Sequence, residues 1–399
     1  MSRFTDQELD EIKARNHVAD VAGSYVKLRR MGGRLVGPCP ICGGRVTSQR
    51  FEVFTDASTW ACAVCEDGGD VIRLVEKVED CDFLRAVERL GGRVAGDPEQ
   101  AKRLFEEREA KRLAREKTSE QYRENERRRL WRQWKSALPI AGTPVADYLA
   151  GRGLQIPEPC PGLRYLPSAI YYHGETVDAR GNNSPRALHS GPAMLAAFIR
   201  PDGKFGGLHI TWLSADRPPA KLELPDPDSG EIVPAKKMRG SKTGASILVH
   251  GLAPAAIAEG AAPPRRLVIG EGIETVLSIL TAFVLAGRDI SDMEFRAAGD
   301  LGNLAGRARE TLPHPELKRP DGRAQRVPGP VPDPDDNGLS IPDSVEEIIL
   351  LGDGDSEPLL TQYAMTRAAR RYTKPGRIIR IVFAPDGLDF NDLLQEEDA

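Results

Sequence analysis

The 399-residue sequence predicts an α/β protein of several domains, and three observations carry that expectation. Strand-like and helix-like runs alternate over the last third of the chain, the pattern of a parallel sheet with flanking helices. Two Cys-x-x-Cys pairs near the N-terminus define a small metal-binding unit. Between them and the α/β segment lies a charged stretch without glycine or proline that reads as a long helix. With 55 basic and 59 acidic residues the net charge is −4, which excludes a uniformly basic nucleic-acid coat protein but leaves room for local patches. No apolar run reaches the roughly 18 residues of a membrane span, so no membrane partner is expected. The opening MSRFTDQELDEIK lacks an apolar signal core, so a cytoplasmic location is expected.

The N-terminal unit follows from the cysteines. Cys39-Pro-Ile-Cys42 and Cys62-Ala-Val-Cys65 are separated by 19 residues, a spacing that suits a four-cysteine Zn²⁺ site. Two intervening residues let one tight turn aim both sulfurs at the ion, and a tetrahedral ion needs two such turns. Disulfides are the alternative, which a reducing compartment disfavours. Cys81 and Cys160 stand alone and are read as ordinary residues. From Val21 to Phe51 there is no acid, while Lys27, Arg29, Arg30, Arg34, Arg45 and Arg50 accumulate; Phe51, Phe54 and Trp60 lie nearby. Basic residues interleaved with aromatics favour single-stranded nucleic acid, through phosphate pairing and base stacking. One helix is expected over Glu8–Val21 and two more between Gly69 and Gly92, which closes a zinc-ribbon domain over residues 1–95.

Residues 96–135 are expected to form a charged helical linker, supported by opposite charges three and four residues apart. Residues 136–260 have the texture of a mixed α+β, basic subdomain, with β-rich runs at 194–199 and 207–213 and a second acid-free stretch, Ile232–Ala258, that holds Lys236, Lys237, Arg239 and Lys242. The GSKT at 240–243 is not a phosphate-binding P-loop, because Lys236 stands where the first glycine is required. Residues 261–399 form the α/β domain. Its strands are expected at Arg265–Gly270, Met293–Ala298, Val345–Leu351 and Arg377–Phe383, with helices at Thr275–Ala286 and Leu359–Tyr372. The proline-rich stretch Thr311–Ile341 reads as an irregular insertion.

Three of these strands run into acids. Ligands of open parallel sheets bind beyond the carboxyl ends of the strands, so Glu271, Asp353, Asp355 and Asp389 should converge at one edge. Clustered carboxylates repel unless a cation neutralises them, and oxygen ligands suit Mg²⁺ or Mn²⁺, which in turn engage phosphates. Asp386 or Glu357 taken singly is read as a solvent-exposed loop acid.

The EGIET at Glu271, the GDGD at Gly352–Asp355 and the DFND at Asp389 are similar to the motifs of the TOPRIM domain. Together with the four-cysteine ribbon they make the chain resemble DnaG-type and phage or plasmid DNA primases, over residues 8–92 and about 185–395. The stretches HITWL and KMRGSKTGASILV are similar to the basic subdomain that precedes TOPRIM in plasmid and phage members. The resemblance implies that Glu271 is the general acid/base of nucleotidyl transfer, that Asp353 and Asp355 hold Mg²⁺, and that Asp389 completes that site. It further implies that Lys236, Lys237, Arg239 and Lys242 hold template or incoming triphosphate. The expected activity is synthesis of short RNA primers from NTPs on single-stranded DNA, with Lys27, Arg29, Arg30, Arg34 and Trp60 on the template. DnaG-type ribbons commonly carry one histidine ligand where Cys42 stands here. Longer family members continue into a helicase motor or a helicase-docking domain, so a separate replicative helicase is an expected partner. A TOPRIM nuclease and a non-catalytic zinc-ribbon DNA-binding protein are the competing expectations.

Overall fold

The computed structural model describes residues 4–31, 34–45, 48–91, 120–156, 160–177, 183–252, 256–257, 259–318 and 322–397. They fall into two units. The first lies within Met1–Tyr122, Gly174–Arg186 and Thr311–Val327, and the second within Arg123–His173, Ala187–Glu310 and Pro328–Ala399.

In the first unit Thr5 and Glu8 form a capping box that starts α1 (Asp6–Arg15): Glu8 N donates to Thr5 Oγ1 and Thr5 N to the Glu8 carboxylate. The single helix expected over residues 8–21 is broken at Asn16, whose side-chain amide donates to the Ile12 and Leu90 carbonyls. His17 then caps a new helix, α2 (Val18–Tyr25). Strands β1 (Arg29–Met31), β2 (Arg34–Gly37), β3 (Phe51–Phe54), β4 (Thr59–Cys62) and β5 (Asp67–Gly69) form an antiparallel meander in chain order. Asp70 and Asp82 cap α3 (Val71–Glu79) and α4 (Phe83–Arg89), accepting from Arg73 N and Arg85 N. Phe51, Val53 and Trp60 of the sheet are buried with Ile12, Val18, Leu74 and Val87 of the helices.

The second unit begins within a helix over residues 120–136, α5, followed by α6 (Pro144–Ala150). Where it is described, the expected charged linker packs: Leu130, Trp134 and Ala137, at helical spacing, are buried in one cluster with Leu195, Leu208, Ile210 and Trp212. Its charges pair along the helix, Arg128 with Glu124 at 3.0 Å and Arg129 with Glu126 at 3.0 Å. The remainder of the expected linker, residues 96–119, lies outside the described residues.

The strands that follow are β6 (Leu163–Val177), β7 (Asn183–Ile199), β8 (Phe205–Trp212), the short pair β9 (Leu224–Pro225) and β10 (Ile232–Val233), β11 (Lys236–Gly240) and β12 (Ser246–His250). Next along the chain come β13 (Arg266–Gly270), α7 (Ile273–Leu285), β14 (Met293–Ala297) and α8 (Leu301–Ala305), all in the second unit. Strands β15 (Thr311–Lys318) and β16 (Ala324–Pro328) belong to the first unit except for Pro328. The chain then returns to the second with β17 (Glu347–Gly352), α9 (Pro358–Tyr372), β18 (Ile378–Phe383) and α10 (Phe390–Glu397). One sheet runs β11-β8-β7-β12-β14-β13-β17-β18, with β6 paired to β7. Its β14-β13-β17-β18 half is parallel, as expected, and the other half is antiparallel. The strands of the expected domains 136–260 and 261–399 therefore join in one sheet. Strand β12 hydrogen-bonds to both halves, pairing Ile247 with Phe198 on one side and with Ala297 on the other, which leaves no free edge between them.

Alternation along β7 and β8 separates two cores. Met194, Ala196 and Phe198 pack with Val276, Leu277 and Leu280 of α7, whereas Leu195, Ala197 and Leu208 face α5. The proline-rich stretch is not wholly irregular, because β15 and β16 pair as a hairpin. Pro313 and Pro315, two residues apart, place their missing N–H groups on one edge of β15 and leave the other for β16. Flanking segments are held by arginines of α9: buried Arg367 donates to the Gly306 and Gly329 carbonyls at 2.8 and 2.7 Å, and Arg371 to Ala305 at 2.9 Å. Among the described residues no helix is long and apolar enough to cross a membrane.

Candidate functional site

The four cysteines converge. Hairpin β3–β4 delivers Cys62 at the end of β4, the turn beyond it delivers Cys65, and the turn after β2 delivers Cys39 and Cys42. Their sulfurs lie within 4.8 Å of one another, with Cys39–Cys65 and Cys42–Cys62 both at 3.7 Å, and all four residues are buried. A tetrahedron of sulfurs about 2.3 Å from a central ion has edges of about 3.8 Å, so the cage fits Zn²⁺. The separations are far beyond the roughly 2.05 Å of a disulfide bond. Each turn is braced by backbone donors to sulfur, Ile41 N to Cys39 Sγ at 3.3 Å and Cys65 N to Cys62 Sγ at 3.4 Å. Gly43 (φ 74°) and Gly44 (φ 125°) provide the left-handed backbone that turns the chain after the first pair. The four cysteines are thus placed to hold a zinc ion.

Around this cage Lys27, Arg29 and Arg30 are exposed, and Arg34 is half-buried and pairs with Glu52 at 2.8 Å. Trp60 does not match its expected role. It is 1% exposed, donates Nε1–H to the Asp70 carbonyl at 3.1 Å and packs 5.5 Å from the Phe51 ring. A ring so enclosed has no face to offer a base, because strand alternation turns Phe51, Val53 and Trp60 into the core; the exposed aromatic of this sheet is Phe54.

At the carboxyl ends of the neighbouring parallel strands β13 and β17 stand Glu271 and the loop Asp353-Gly354-Asp355, with Asp389 in the loop that follows β18. Burial pushes the Asp353 carboxyl up to about 7; the Thr275 hydroxyl opposes the rise, while Glu271, Asp355 and Asp389 add to it. Burial also raises Glu271, against the pull of Lys236 and Lys242 and with the help of Asp355. The four acids and two lysines thus share one electrostatic neighbourhood. Their ligand atoms do not close as the sulfurs do: among the described residues the cysteines are the group of three or more whose ligand atoms all lie within 4.8 Å. Asp389 Oδ1 also accepts from Asn391 N and Asp392 N, at 2.7 and 2.8 Å, at the start of α10.

Gly354 serves packing. A Cβ there would lie 2.0 Å from the Pro385 carbonyl oxygen, and its N–H donates to Leu388 O at 3.0 Å while Gly387 N donates back to Gly354 O at 2.9 Å. The glycine therefore lashes the loop of Asp353 and Asp355 to the loop of Asp389.

The basic residues of β11 divide between the two faces of the sheet. Lys236 stands opposite Thr211, and Met238 opposite His209, on the face that carries Met194 and Ala196 and meets the α7 core. Lys237 and Arg239 point the other way. Lys237 sits 4.0 Å over the Tyr171 ring and donates to the Tyr172 carbonyl, and burial lowers its ammonium to about 8. Arg239 pairs with Glu126 of α5 at 2.6 Å. The period of two along a strand, not visible in a charge count, removes these two from the carboxylates. Lys242 pairs with Asp300, whose other oxygen caps α8.

Three polar residues beside the acids escaped the sequence reading. Glu274, three residues after Glu271, accepts from Tyr148 Oη at 2.7 Å and Lys221 Nζ at 2.8 Å and lies 3.4 Å from Arg152 Nε. Thr275 contacts Asp353. His209 is buried, and desolvation, with Lys236 adding, lowers it to about 4. The acid spacing in EGIE was the available signal, but only the fold shows that one acid faces the carboxylate edge and the other a clamp.

Residues 4–104 match the CHC2 zinc finger family, and residues 124–249 match a domain of unknown function, DUF7146. Over 92 residues the chain is 34% identical to a DNA primase of Staphylococcus epidermidis and 33% identical to one of Staphylococcus aureus. Each match covers 23% of this chain and 15% of the relative, so the chain corresponds to a small part of the curated relatives' length. Among solved structures, the zinc-binding and RNA polymerase domains of the Aquifex aeolicus primase align over 98% of this chain and 83% of that one, at 15% identity and TM-score 0.34. A DnaG primase catalytic domain bound to ssDNA aligns over 71% and 79%, at 16% identity and TM-score 0.36. Superpositions this loose carry no argument here; the zinc-finger family match covers the ribbon.

Proposed function

We propose that this chain, whose N-terminal unit is a zinc ribbon of the DnaG type, is a DNA primase that makes short RNA primers on single-stranded DNA by metal-dependent nucleotidyl transfer, in replication of the phage or plasmid kind. The observation that carries the reading is the shared neighbourhood of Glu271, Asp353, Asp355 and Asp389 beyond adjacent parallel strands, with Asp353 pushed up to about 7 by burial and by the other acids. Such a set is poorly neutralised by protein alone and fits a hard divalent ion. Mg²⁺ typically takes only one or two carboxylates and completes its shell with waters and phosphate oxygens, so the acids need not close on a point.

In this reading Asp353, Asp355 and Asp389 hold Mg²⁺ or Mn²⁺, which when bound supplies positive charge to the phosphates. Glu271, half-buried and raised by that burial, takes the proton of the attacking 3′-hydroxyl. Lys236 and Lys242, which Glu271 senses, meet the triphosphate or template, while Lys237 and Arg239 stabilise the sheet against α5. The ribbon engages template through Lys27, Arg29, Arg30 and Arg34. Single-stranded DNA and NTPs are the ligands, a separate replicative helicase is the partner, and the location is the cytoplasm. The names of the relatives, DNA primase, support the reading from outside.

The test is incubation with single-stranded template, labelled NTPs and Mg²⁺ or Mn²⁺. Products a few nucleotides long, absent in Asp353→Ala, are expected. Shortened template without NTP incorporation would instead identify a TOPRIM nuclease.

A further inference from the structure

Thr275 lies in the first turn of α7 and is 5% exposed, facing the first residue beyond β17. Its Oγ1 is 3.2 and 3.1 Å from the two carboxylate oxygens of Asp353. A hydroxyl has one proton, so the bond is shared between both oxygens and holds the carboxylate plane rather than one atom. The threonine is itself held. A Cβ at Gly270 would lie 3.3 Å from Thr275 Cγ2 and from Leu351 Cβ, and a Cβ at Gly272 would lie 3.0 Å from Thr275 Oγ1. The methyl is thus seated over Gly270 and the hydroxyl over Gly272. A β-branched side chain is stiff about χ1, so seating the methyl aims the hydroxyl.

We infer that Thr275 is a positioning residue: it fixes the Asp353 carboxylate so that the remaining lone pairs are presented to a divalent cation at the carboxylate edge. The glycines on either side of Glu271 leave the space in which it does so. This inference rests on the metal reading above and extends it to a residue that touches neither substrate nor cation. Groups that orient metal ligands typically change affinity by about 10- to 100-fold when removed.

The experiment titrates Mn²⁺ into the full-length, zinc-loaded chain at fixed pH and follows free Mn²⁺ by electron paramagnetic resonance, so the readout is binding and not turnover. Thr275→Val keeps the shape and deletes the hydroxyl, and Thr275→Ser keeps the hydroxyl. Binding weakened by about 10- to 100-fold in Thr275→Val and largely restored in Thr275→Ser, with thermal melts unchanged, is the expected result. Wild-type affinity in Thr275→Val overturns the inference, as does equal loss in both variants, which would mean that packing and not the hydroxyl matters. Asp353→Ala separates this from failure of the underlying reading. If the wild type has no Mn²⁺ site that Asp353→Ala abolishes, the metal reading falls and the role of Thr275 with it.

Discussion

Replacing Glu274 by alanine should destabilise the second unit by about 4 kcal/mol, the sum of the low-end costs for its charge partners and for its hydroxyl partner. The Glu274 side chain is 17% exposed and receives Tyr148 at 2.7 Å, Lys221 at 2.8 Å and Arg152 at 3.4 Å. Stranding one partner of a buried charge pair costs about 3–5 kcal/mol. Lys221 and Arg152 are 38% and 28% exposed at their side chains, so water replaces part of what they lose and the lower end applies. Tyr148, only 3% exposed, keeps no acceptor, and an unsatisfied buried hydroxyl costs about 1–3 kcal/mol. Glu274→Gln returns an acceptor to Tyr148 without the charge and should cost about half as much.

Urea unfolding at neutral pH gives the midpoint shift, and native-state hydrogen exchange over α6 and α7 shows where stability was lost. The pH dependence has a definite sign. Burial alone would raise Glu274, but Lys221, Tyr148 and Arg152 overcome it and hold the carboxyl below its ordinary value. Its contribution is therefore present above that value and is lost as the pH falls through the lower, folded one, so the gap between wild type and Glu274→Ala should narrow as the pH falls below the ordinary glutamate value. An alanine variant with the wild-type midpoint, or a glutamine variant as damaged as the alanine, would refute the clamp.

Three other outcomes are expected. Chelating zinc should abolish amide protection in β3 and β4 while the large sheet keeps its own, since structural zinc typically contributes about 10–16 kcal/mol against the roughly 5–15 kcal/mol net stability of a domain; persistent protection at Phe51 and Cys62 would count against a structural site. Desolvation lowers His209 to about 4, so its contribution is full above about pH 6.5 and lost as the pH falls through about 4. Stability of the wild type relative to His209→Gln should therefore drop by up to roughly 3 kcal/mol across that window, and a flat difference in denaturation midpoints would contradict it. Arg29→Ala with Arg30→Ala should weaken single-stranded DNA binding and flatten its salt dependence by about 0.7 for each phosphate no longer neutralised. Trp60→Phe should instead lower the melting temperature and leave the salt slope alone, and the opposite pattern would restore Trp60 as a stacking platform.

Much of the candidate site was legible in order along the chain. The cysteine spacing specified the cage, because two short turns are enough to aim four sulfurs. Glu271, Asp353 and Asp355 could be placed at strand ends, because buried strands read as short apolar runs that stop at acids. The residues whose roles differ from expectation share a cause. Composition pointed Trp60, and the family resemblance Lys237 and Arg239, toward nucleic acid, yet a strand sends alternate side chains to opposite faces, one of which can be core. The charged segment has the composition of a linker because Leu130, Trp134 and Ala137 are few among many charges, yet a single stripe suffices to dock a helix.

The sequence by itself determined the four-cysteine cage, the parallel half of the sheet and the acids at its edge, since each depends on contacts local in the chain or on the pattern of one element. Tertiary structure alone decided that β12 welds two expected domains into one sheet, that Glu274 faces a clamp while Glu271 faces the carboxylates, and that Thr275 reaches Asp353 across 78 positions. These are pairings between groups far apart in sequence, and one chain read without its fold carries no term that couples them.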